Sequence, residues 1–339
     1  MNSHTELLTS LPDDLDHAAA LLQAGEVVAF PTETVYGLGA VVCDEAAVRR
    51  VFQAKGRPAD NPLIVHCASL ADVERVARDI PERFRLLFEQ FCPGPLTMLL
   101  PRHGSVPNVV TAGLETVAVR FPRHPTAIEL IRRVGAPLVA PSANRSGYPS
   151  PTTAQHVMDD LGGRIAAVVD GGTCEIGLES TVVNILTEPP VVLRPGVITR
   201  QMLAAALQEP VVEAIPASVS TPASPGMKYR HYAPDAQVQL VDSFAEAVHL
   251  HEQHLSSWIL TSPQSQSQRS QSQRSLSQRS LSQRGLQATA IQTLTAATLY
   301  ETLRRADAEG IQMVIVVCDA ALRADAALMN RLHKAAARV

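Results

Sequence analysis

Thr34 among neighbouring hydroxyls, Gly37 and Gly39, and then Lys55, Arg57, Asn61 and His66 fall within one stretch, FPTETVYGLGA followed after a helix by KGRPADNPLIVH. A strand from Glu26 to Phe30 feeds the hydroxyl- and glycine-rich turn, and a second strand, Leu63 to His66, follows the cations. Hydroxyls, cations and backbone amides therefore converge at the ends of adjacent strands, which suits a phosphate-bearing ligand. Each fragment alone has a plainer reading, in which the glycines make a turn and Lys55 and Arg57 solvate a helix end. Both together, in this order, favour a binding site.

Other loops display polar groups that a folded site can gather. Thr116 and Arg120 stand four residues apart in LETVAVRFP and share a strand face, because the strand period is two; the plainer alternative is a surface arginine on an edge strand. APSANRSGYPSPT offers Ser142, Asn144 and Ser150, and LESTVVNI offers Ser180. In VLRPG, Arg194 is either a solvated strand-end residue or a guanidinium for bidentate phosphate binding that lysine does not reproduce. The chain contains no G-x-S-x-G, no Walker A motif and no paired-carboxylate constellation. The histidine cluster HLHEQH lacks H-E-x-x-H spacing, so no protein metal site is assigned. Five scattered cysteines without a C-x-x-C pair read as thiols rather than disulfides or zinc ligands.

The elements that position these groups follow from pattern. Residues Asp13 to Ala24 form an amphipathic helix stopped by Gly25; Asp44 caps a second helix ending near Lys55 and Ser69 a third; Pro81 opens a fourth. Helices over Pro125 to Val134 and Thr153 to Leu161 alternate irregularly with short apolar strands, Pro137 to Ala140 among them, which argues for a mixed α/β sheet. From about Glu209 to Pro234 composition shifts to Pro, Ala and Ser, marking a linker. Beyond it VQLVD, SWIL and MVIVV, with helices near 244–254, 296–308 and 322–337, suggest a small βαβ-type domain. A repeating SQRS unit within it, about residues 262–286, cannot bury apolar surface and is expected to be disordered.

At 339 residues the chain should hold one large and one smaller domain, since single cores rarely exceed roughly 250–300 residues. A formal charge of -4 with 18% charged residues excludes a general polyanion binder. MNSHTELLTS has neither a basic n-region nor an apolar h-region, and no apolar run approaches the roughly 20 residues of a membrane span. No membrane association and a cytoplasmic location are expected.

PTETVYGLG followed by K-x-R-P-x-x-N-P-L-I-V-H resembles the signature of the Sua5/YrdC/YciO family, and the KYRHYAP linker motif resembles its longer, Sua5-type branch. The resemblance implies a YrdC-like twisted mixed sheet with flanking helices over residues 1–208. It also implies a linker, 209–235, that contacts the active site, and a smaller C-terminal Rossmann-like α/β domain, 236–339. It implies a nucleotidyltransferase that forms threonylcarbamoyl-AMP and pyrophosphate from L-threonine, bicarbonate or CO2 and ATP, with Mg2+ bound through the ATP phosphates. Arg57, Asn61, Thr116, Ser142, Ser150, Arg194 and Tyr232 are expected at ATP, with Lys55 beside them. Thr34, His66, Arg120, Ser180 and the backbone of Ala140 are expected at threonine; Lys55, Arg57 and Arg120 are the expected catalytic groups. The product would pass to a protein complex that makes N6-threonylcarbamoyladenosine (t6A) in tRNA.

The rival from another class is a non-catalytic module binding tRNA or double-stranded RNA in a basic concave site, with strongly salt-dependent affinity. Acidic net charge and only 4% aromatic residues weigh against it, because single-stranded recognition relies on stacking. The arginines of the SQRS repeat, Arg269, Arg274, Arg279 and Arg284, offer a weak tRNA contact; the alternative is expansion of a tolerated loop.

Overall fold

Short runs of β-branched and leucine residues, spaced by turn residues, become the strands of the computed structural model, which describes residues 4–214, 232–265 and 290–337. They build two units, residues 4–146 with 150–214 and residues 147–149 with 232–337. In the first unit the strands are β1 (Glu6–Leu8), β2 (Val28–Phe30), β3 (Gly37–Val41), β4 (Ile64–His66), β5 (Leu96–Pro101), β6 (Thr116–Arg120), β7 (Leu138–Val139), β8 (Ala167–Val169), β9 (Thr181–Asn184), β10 (Val191–Arg194) and β11 (Val212–Glu213). They join in one sheet of order β1-β8-β2-β3-β7-β4-β6-β5-β9-β10-β11. Pairs β4/β6 and β5/β9 are parallel, while β2/β3, β3/β7, β4/β7 and β5/β6 are antiparallel. The mixed α/β fold expected from the sequence is the fold that forms.

The helices of this unit are α1 (Pro12–Gln23), α2 (Glu45–Lys55), α3 (Leu70–Val76), α4 (Glu82–Phe91), α5 (Asn108–Thr111), α6 (Pro125–Val134), α7 (Ala154–Leu161) and α8 (Arg200–Leu207). Asp44 accepts the Ala47 N–H, and Ser69 closes a capping box with Asp72. Each such cap is worth about 1 kcal/mol. Pro81 is the residue before α4 rather than its first.

Strand alternation sorts the side chains onto two faces. One face is the main core, where Ala29, Leu38, Ala40, Val65, Met98, Val119 and Val139 meet Val48, Val51, Phe52, Phe84, Leu87 and Val157 from the helices. On the other, α1 and α6 cover Val28, Phe30, Leu138 and Ala140 with Leu15, Ala18, Leu22, Leu130 and Ile131. Full burial of each leucine or isoleucine contributes roughly 1.5–3 kcal/mol. The same face continues onto β4, β6, β5 and β9, and the site lies there.

Some sequence expectations change. The strand expected from Glu26 to Phe30 is β2 and begins at Val28, and the Pro137 to Ala140 strand shortens to Leu138–Val139. Gly37 and Gly39 lie within β3, opposite Phe30 and Val28, not in a phosphate-cradling turn. A Cβ on Gly39 would stand 2.8 Å from the Phe30 ring, and one on Gly37 would stand 3.1 Å from Ala140 Cβ. The glycines exist to let these neighbours approach.

In the second unit β12 (Gln237–Val241), β13 (Ser257–Thr261), β14 (Ile291–Thr293) and β15 (Met313–Val317) form a parallel sheet of order β12-β15-β13-β14. Helix α9 (Phe244–Gln253) packs Ala247 and Val248 on Ile259 and Ile315. Helix α10 (Leu299–Ala308) follows β14, and the expected final helix is two, α11 (Ala320–Ala324) and α12 (Ala326–Ala336). Asp325 divides them and caps the second by accepting the Leu328 N–H. Ser262 and Ser265, assigned from sequence to the disordered insert, donate to the Asp319 carboxylate. The remainder of the insert, including Arg269, Arg274, Arg279 and Arg284, lies outside the described residues, as do linker residues 215–231. Among the described residues no helix is long and apolar enough to cross a membrane.

Candidate active site

Register places the polar groups before any loop is considered. Leu138 pairs with His66, His66 with Arg120, and Arg120 with Thr97 across β7, β4, β6 and β5. The row continues through Thr97 Oγ1, 2.7 Å from Ser180 Oγ. Arg194 on β10 completes it, donating from Nη2 to Ser180 Oγ at 3.2 Å and from Nε to Ser180 O at 3.1 Å. All five polar residues are buried. Sequence reasoning selected His66, Arg120, Ser180 and Arg194; it missed Thr97, a lone hydroxyl in the apolar run LTMLL.

Glu33, also missed, forms a buried ion pair in the site. Its Oε1 lies 2.8 Å from Arg120 Nη2 with both side chains almost fully buried, a contact of charge whose angles fall outside those of a hydrogen bond. The other oxygen accepts the Arg123 N–H at 3.1 Å. Burial alone would raise the Glu33 carboxyl, but the Arg120 charge and the hydrogen bonds to it outweigh that and hold it below the ordinary carboxylate range. Burial, and then the Arg120 charge, push the His66 imidazole well below its usual value, so it is neutral. Its Nδ1 has no partner. The acid within the hydroxyl-rich TET was the available signal for Glu33.

Thr34 is fully buried and its hydroxyl lies 2.8 Å from that of Thr32. Thr32 Oγ1 in turn donates to Val35 O at 2.6 Å. The loop after β7 bears the other hydroxyls. Ala140 N–H donates to Ile64 O, Leu38 N–H to Pro141 O, and Ala143 N–H to Tyr36 O, which fixes that loop on β3 and β4. Lys55, 3% exposed at the end of α2, donates to Ser142 O and Asn144 O. Its ammonium therefore clamps the PSAN loop, whereas the sequence pointed it at a phosphate. Ser142 Oγ donates to Asn144 Oδ1 at 2.6 Å, and Ser150 Oγ to Glu179 Oε1 at 2.6 Å.

Arg57, past the left-handed Gly56 that ends α2, donates to Asn61 O at 3.1 Å and Pro62 O at 3.2 Å. Asn61 is 0% exposed, and neither its Nδ2 nor its Oδ1 has a partner. Thr116 opens β6, four residues and about 13 Å from Arg120. Because β4 and β6 are parallel with Ile64 beside Ala118, Asn61 and Thr116 stand at one end of the strands and His66 and Arg120 at the other. Between the ends run Ile64, Leu99, Ala118 and Val182, a small apolar cluster of its own. Tyr232 is the candidate that falls in the second unit, where its ring lies 5.4 Å from that of Tyr300 and 5.8 Å below the Arg331 guanidinium.

Unpartnered buried polar atoms are rare and cost about 1–3 kcal/mol each. Here Asn61 Nδ2 and Oδ1 and His66 Nδ1 lie along one strip without a hydrogen-bond partner, and Glu33 Oε1 and Arg120 Nη2 meet only each other, as charges. Such a concentration fits a polar ligand with an anionic group at the Arg120 end and a hydrogen-bonding group at the Asn61 end.

Comparison with known proteins identifies the family. The family described as telomere recombination (Sua5/YciO/YrdC) matches residues 20–196, and the threonylcarbamoyl-AMP synthase C-terminal domain matches residues 198–337. A Bacillus subtilis protein named threonylcarbamoyl-AMP synthase is 42% identical over 98% of this chain and 95% of its own. One of that name from Pyrococcus abyssi is 52% identical over 66% of this chain and 67% of its own. The crystal structure of P. abyssi Sua5 complexed with L-threonine matches with a TM-score of 0.85 and 38% identity over 98% of each chain. With both domain matches spanning it in order, the chain belongs to the Sua5/YciO/YrdC family, in the long form that carries the threonylcarbamoyl-AMP synthase C-terminal domain.

Proposed function

We propose that this protein is a threonylcarbamoyl-AMP synthase, a nucleotidyltransferase acting on L-threonine, bicarbonate or CO2 and ATP. The observation that carries the reading is the strip with two polar ends about 13 Å apart and an apolar floor between them. An amino acid's carboxylate suits Arg120, and the neutral His66, through its Nδ1, suits an N–H of the amino group. Thr34, Ser180 and the Ala140 backbone complete the threonine side. Arg57, Asn61, Thr116, Ser142, Ser150 and Arg194 serve ATP, with Tyr232 closing over it, and Lys55 acts through the loop it clamps.

In the first step the threonine amine bonds to the carbon of CO2 and loses a proton, giving N-carboxy-threonine. The new carboxylate oxygen then attacks the α-phosphorus of ATP, the bond to the β-phosphate breaks, and pyrophosphate leaves with the electron pair. The protein's task is positioning and charge neutralisation, which needs cations and aligned donors rather than a covalent nucleophile. Mg2+ would be bound through the ATP phosphates, since this hard cation usually keeps several waters and is held at nucleotide sites largely by substrate phosphates. In the same reading residues 1–208 form the catalytic domain, 209–235 the linker and 236–339 the terminal domain. The product goes to a t6A-forming complex in the cytoplasm, and any tRNA contact by this chain is weak.

The test is pyrophosphate release by the purified full chain from Mg-ATP and bicarbonate, with and without L-threonine, beside Arg57→Ala and Arg120→Ala. Threonine-dependent release that both substitutions suppress, with a labile threonylcarbamoyl adenylate recovered, is expected. Release independent of threonine, or none, together with salt-sensitive tRNA binding would replace the synthase with the RNA-binding alternative.

A further inference from the structure

Thr111 ends α5 and is 1% exposed, yet its hydroxyl has no partner. Its surroundings tie it to the Asn61 end of the strip. The Leu63 N–H donates to Val110 O at 2.8 Å, fastening the end of α5 to the segment that holds Asn61. Leu114 N–H donates to Thr111 O at 3.0 Å, and Ala112 and Gly113, both left-handed at φ 53° and 80°, turn the chain directly into β6 and Thr116. Two short segments thus bring a fully buried amide and a fully buried hydroxyl, all their side-chain polar atoms unpartnered, to one end of the same strands.

We propose that Thr111 is a nucleotide-contacting residue that, with Asn61, receives the nucleoside half of ATP. This rests on the reading of the Asn61 end as the nucleotide side. A phosphate presents only acceptor oxygens and would leave the Asn61 carbonyl oxygen unmet. An amide beside a hydroxyl needs a ligand group that both donates and accepts. A base edge with its exocyclic amine, or a ribose hydroxyl, meets that requirement. Thr97 and Thr34, equally buried in this unit, each meet another hydroxyl, which Thr111 does not.

The experiment is Thr111→Val, nearly isosteric, with Thr111→Ser as the conservative variant, both in the full chain. ATP dissociation constants are titrated directly, and KM for ATP and for threonine are taken from pyrophosphate release. Thermal unfolding is recorded without ligand, where removal of an unpartnered hydroxyl leaves stability unchanged or raised. Thr111→Val is expected to weaken ATP about tenfold, in line with one hydrogen bond, with kcat and the threonine KM held within about twofold, and Thr111→Ser to recover most of the affinity. Titration with GTP and with 2′-deoxy-ATP assigns the contact: discrimination lost in Thr111→Val against GTP marks the base, and against 2′-deoxy-ATP the ribose. An unchanged ATP dissociation constant, or an equal weakening of threonine, overturns the proposal. Absence of threonine-dependent turnover in the parent chain overturns the synthase reading instead, and the ATP titration still decides Thr111.

Discussion

Glu33 and Arg120 meet at 2.8 Å in the floor of the site with side chains 3% and 5% exposed, so the arginine that suits a substrate carboxylate already has a permanent counter-charge. Removing one partner of such a pair strands the other in a low-dielectric surround, which costs about 3–5 kcal/mol. Glu33→Ala should therefore lower the urea midpoint strongly, and Arg120→Ala likewise. The double substitution should cost clearly less than their sum, because the two share one penalty. Additivity to within about 0.5 kcal/mol would show that the two charges do not depend on each other.

The same site makes the fold sensitive to acid. The folded His66 imidazole lies well below 6.5, through burial and then the Arg120 charge. As pH falls through about 6.5 the unfolded chain takes up this proton and the folded chain does not, so stability declines with falling pH. His124 and His251, both lowered by burial, act in the same direction. The Glu33 carboxyl is depressed below 4.5 in the fold, so its contribution is complete above that pH and is lost as pH falls through its folded value. Urea midpoints should decline as pH falls through about 6.5 and again below 4.5, and His66→Gln should flatten part of the first decline while leaving the second. An identical profile in His66→Gln would remove His66 from the account.

Gly39 fixes the position of Phe30, whose ring meets His66 edge-on at 6.3 Å. An alanine Cβ there would stand 2.8 Å from Phe30 Cε1 and 3.1 Å from Val28 O, and overpacking of this kind costs about 1–3 kcal/mol. Gly39→Ala should lower stability by that amount and raise the threonine KM, because a displaced Phe30 ring disturbs its edge-on contact with His66. Gly104→Ala, with nothing within 4 Å of its Cβ, should change stability by no more than about 0.5 kcal/mol. Equal effects at the two positions would refute the steric account.

Much of the architecture was legible because it is local. Asp44 and Ser69 announce helix starts by their own side chains, and alternation in TVAVR puts Thr116 and Arg120 on one face. The site residues were legible as polar groups out of place among apolar strands. What they touch was not, since it depends on register between distant strands: nothing within LTMLL says that Thr97 will stand beside Arg120 and reach Ser180. Gly39 was misread for the same reason, and the contact of Lys55 with the Ser142 and Asn144 carbonyls could not be read from its place in the sequence. A lysine after a glycine-rich segment suggests phosphate until Ser142 and Asn144 fold over it, and a glycine in YGLGA suggests a turn until Phe30 packs against it. The break at Asp325 escaped because AALRADAALMN keeps helical composition throughout, and only the capping bond to Leu328 marks the restart.

Lys55 supplies the last prediction. A buried ammonium held by the Ser142 and Asn144 carbonyls stabilises the loop through charge-assisted hydrogen bonds, stronger than neutral ones. Lys55→Met keeps the stem and removes the charge, leaving those oxygens without their donor. The Leu38 N–H to Pro141 O bond should survive, whereas the loop beyond it, where Ala143 N–H donates to Tyr36 O and Ser146 N–H to Lys55 O, should open more often. Hydrogen exchange on the ligand-free chain separates the two roles of Lys55. Faster exchange at the Ala143 and Ser146 amides, with Leu38 unchanged, identifies a clamp that preorganises Ser142 for the nucleotide. Unchanged exchange throughout, with ATP affinity nonetheless reduced, would mean that the ammonium leaves the loop and acts on the phosphates directly.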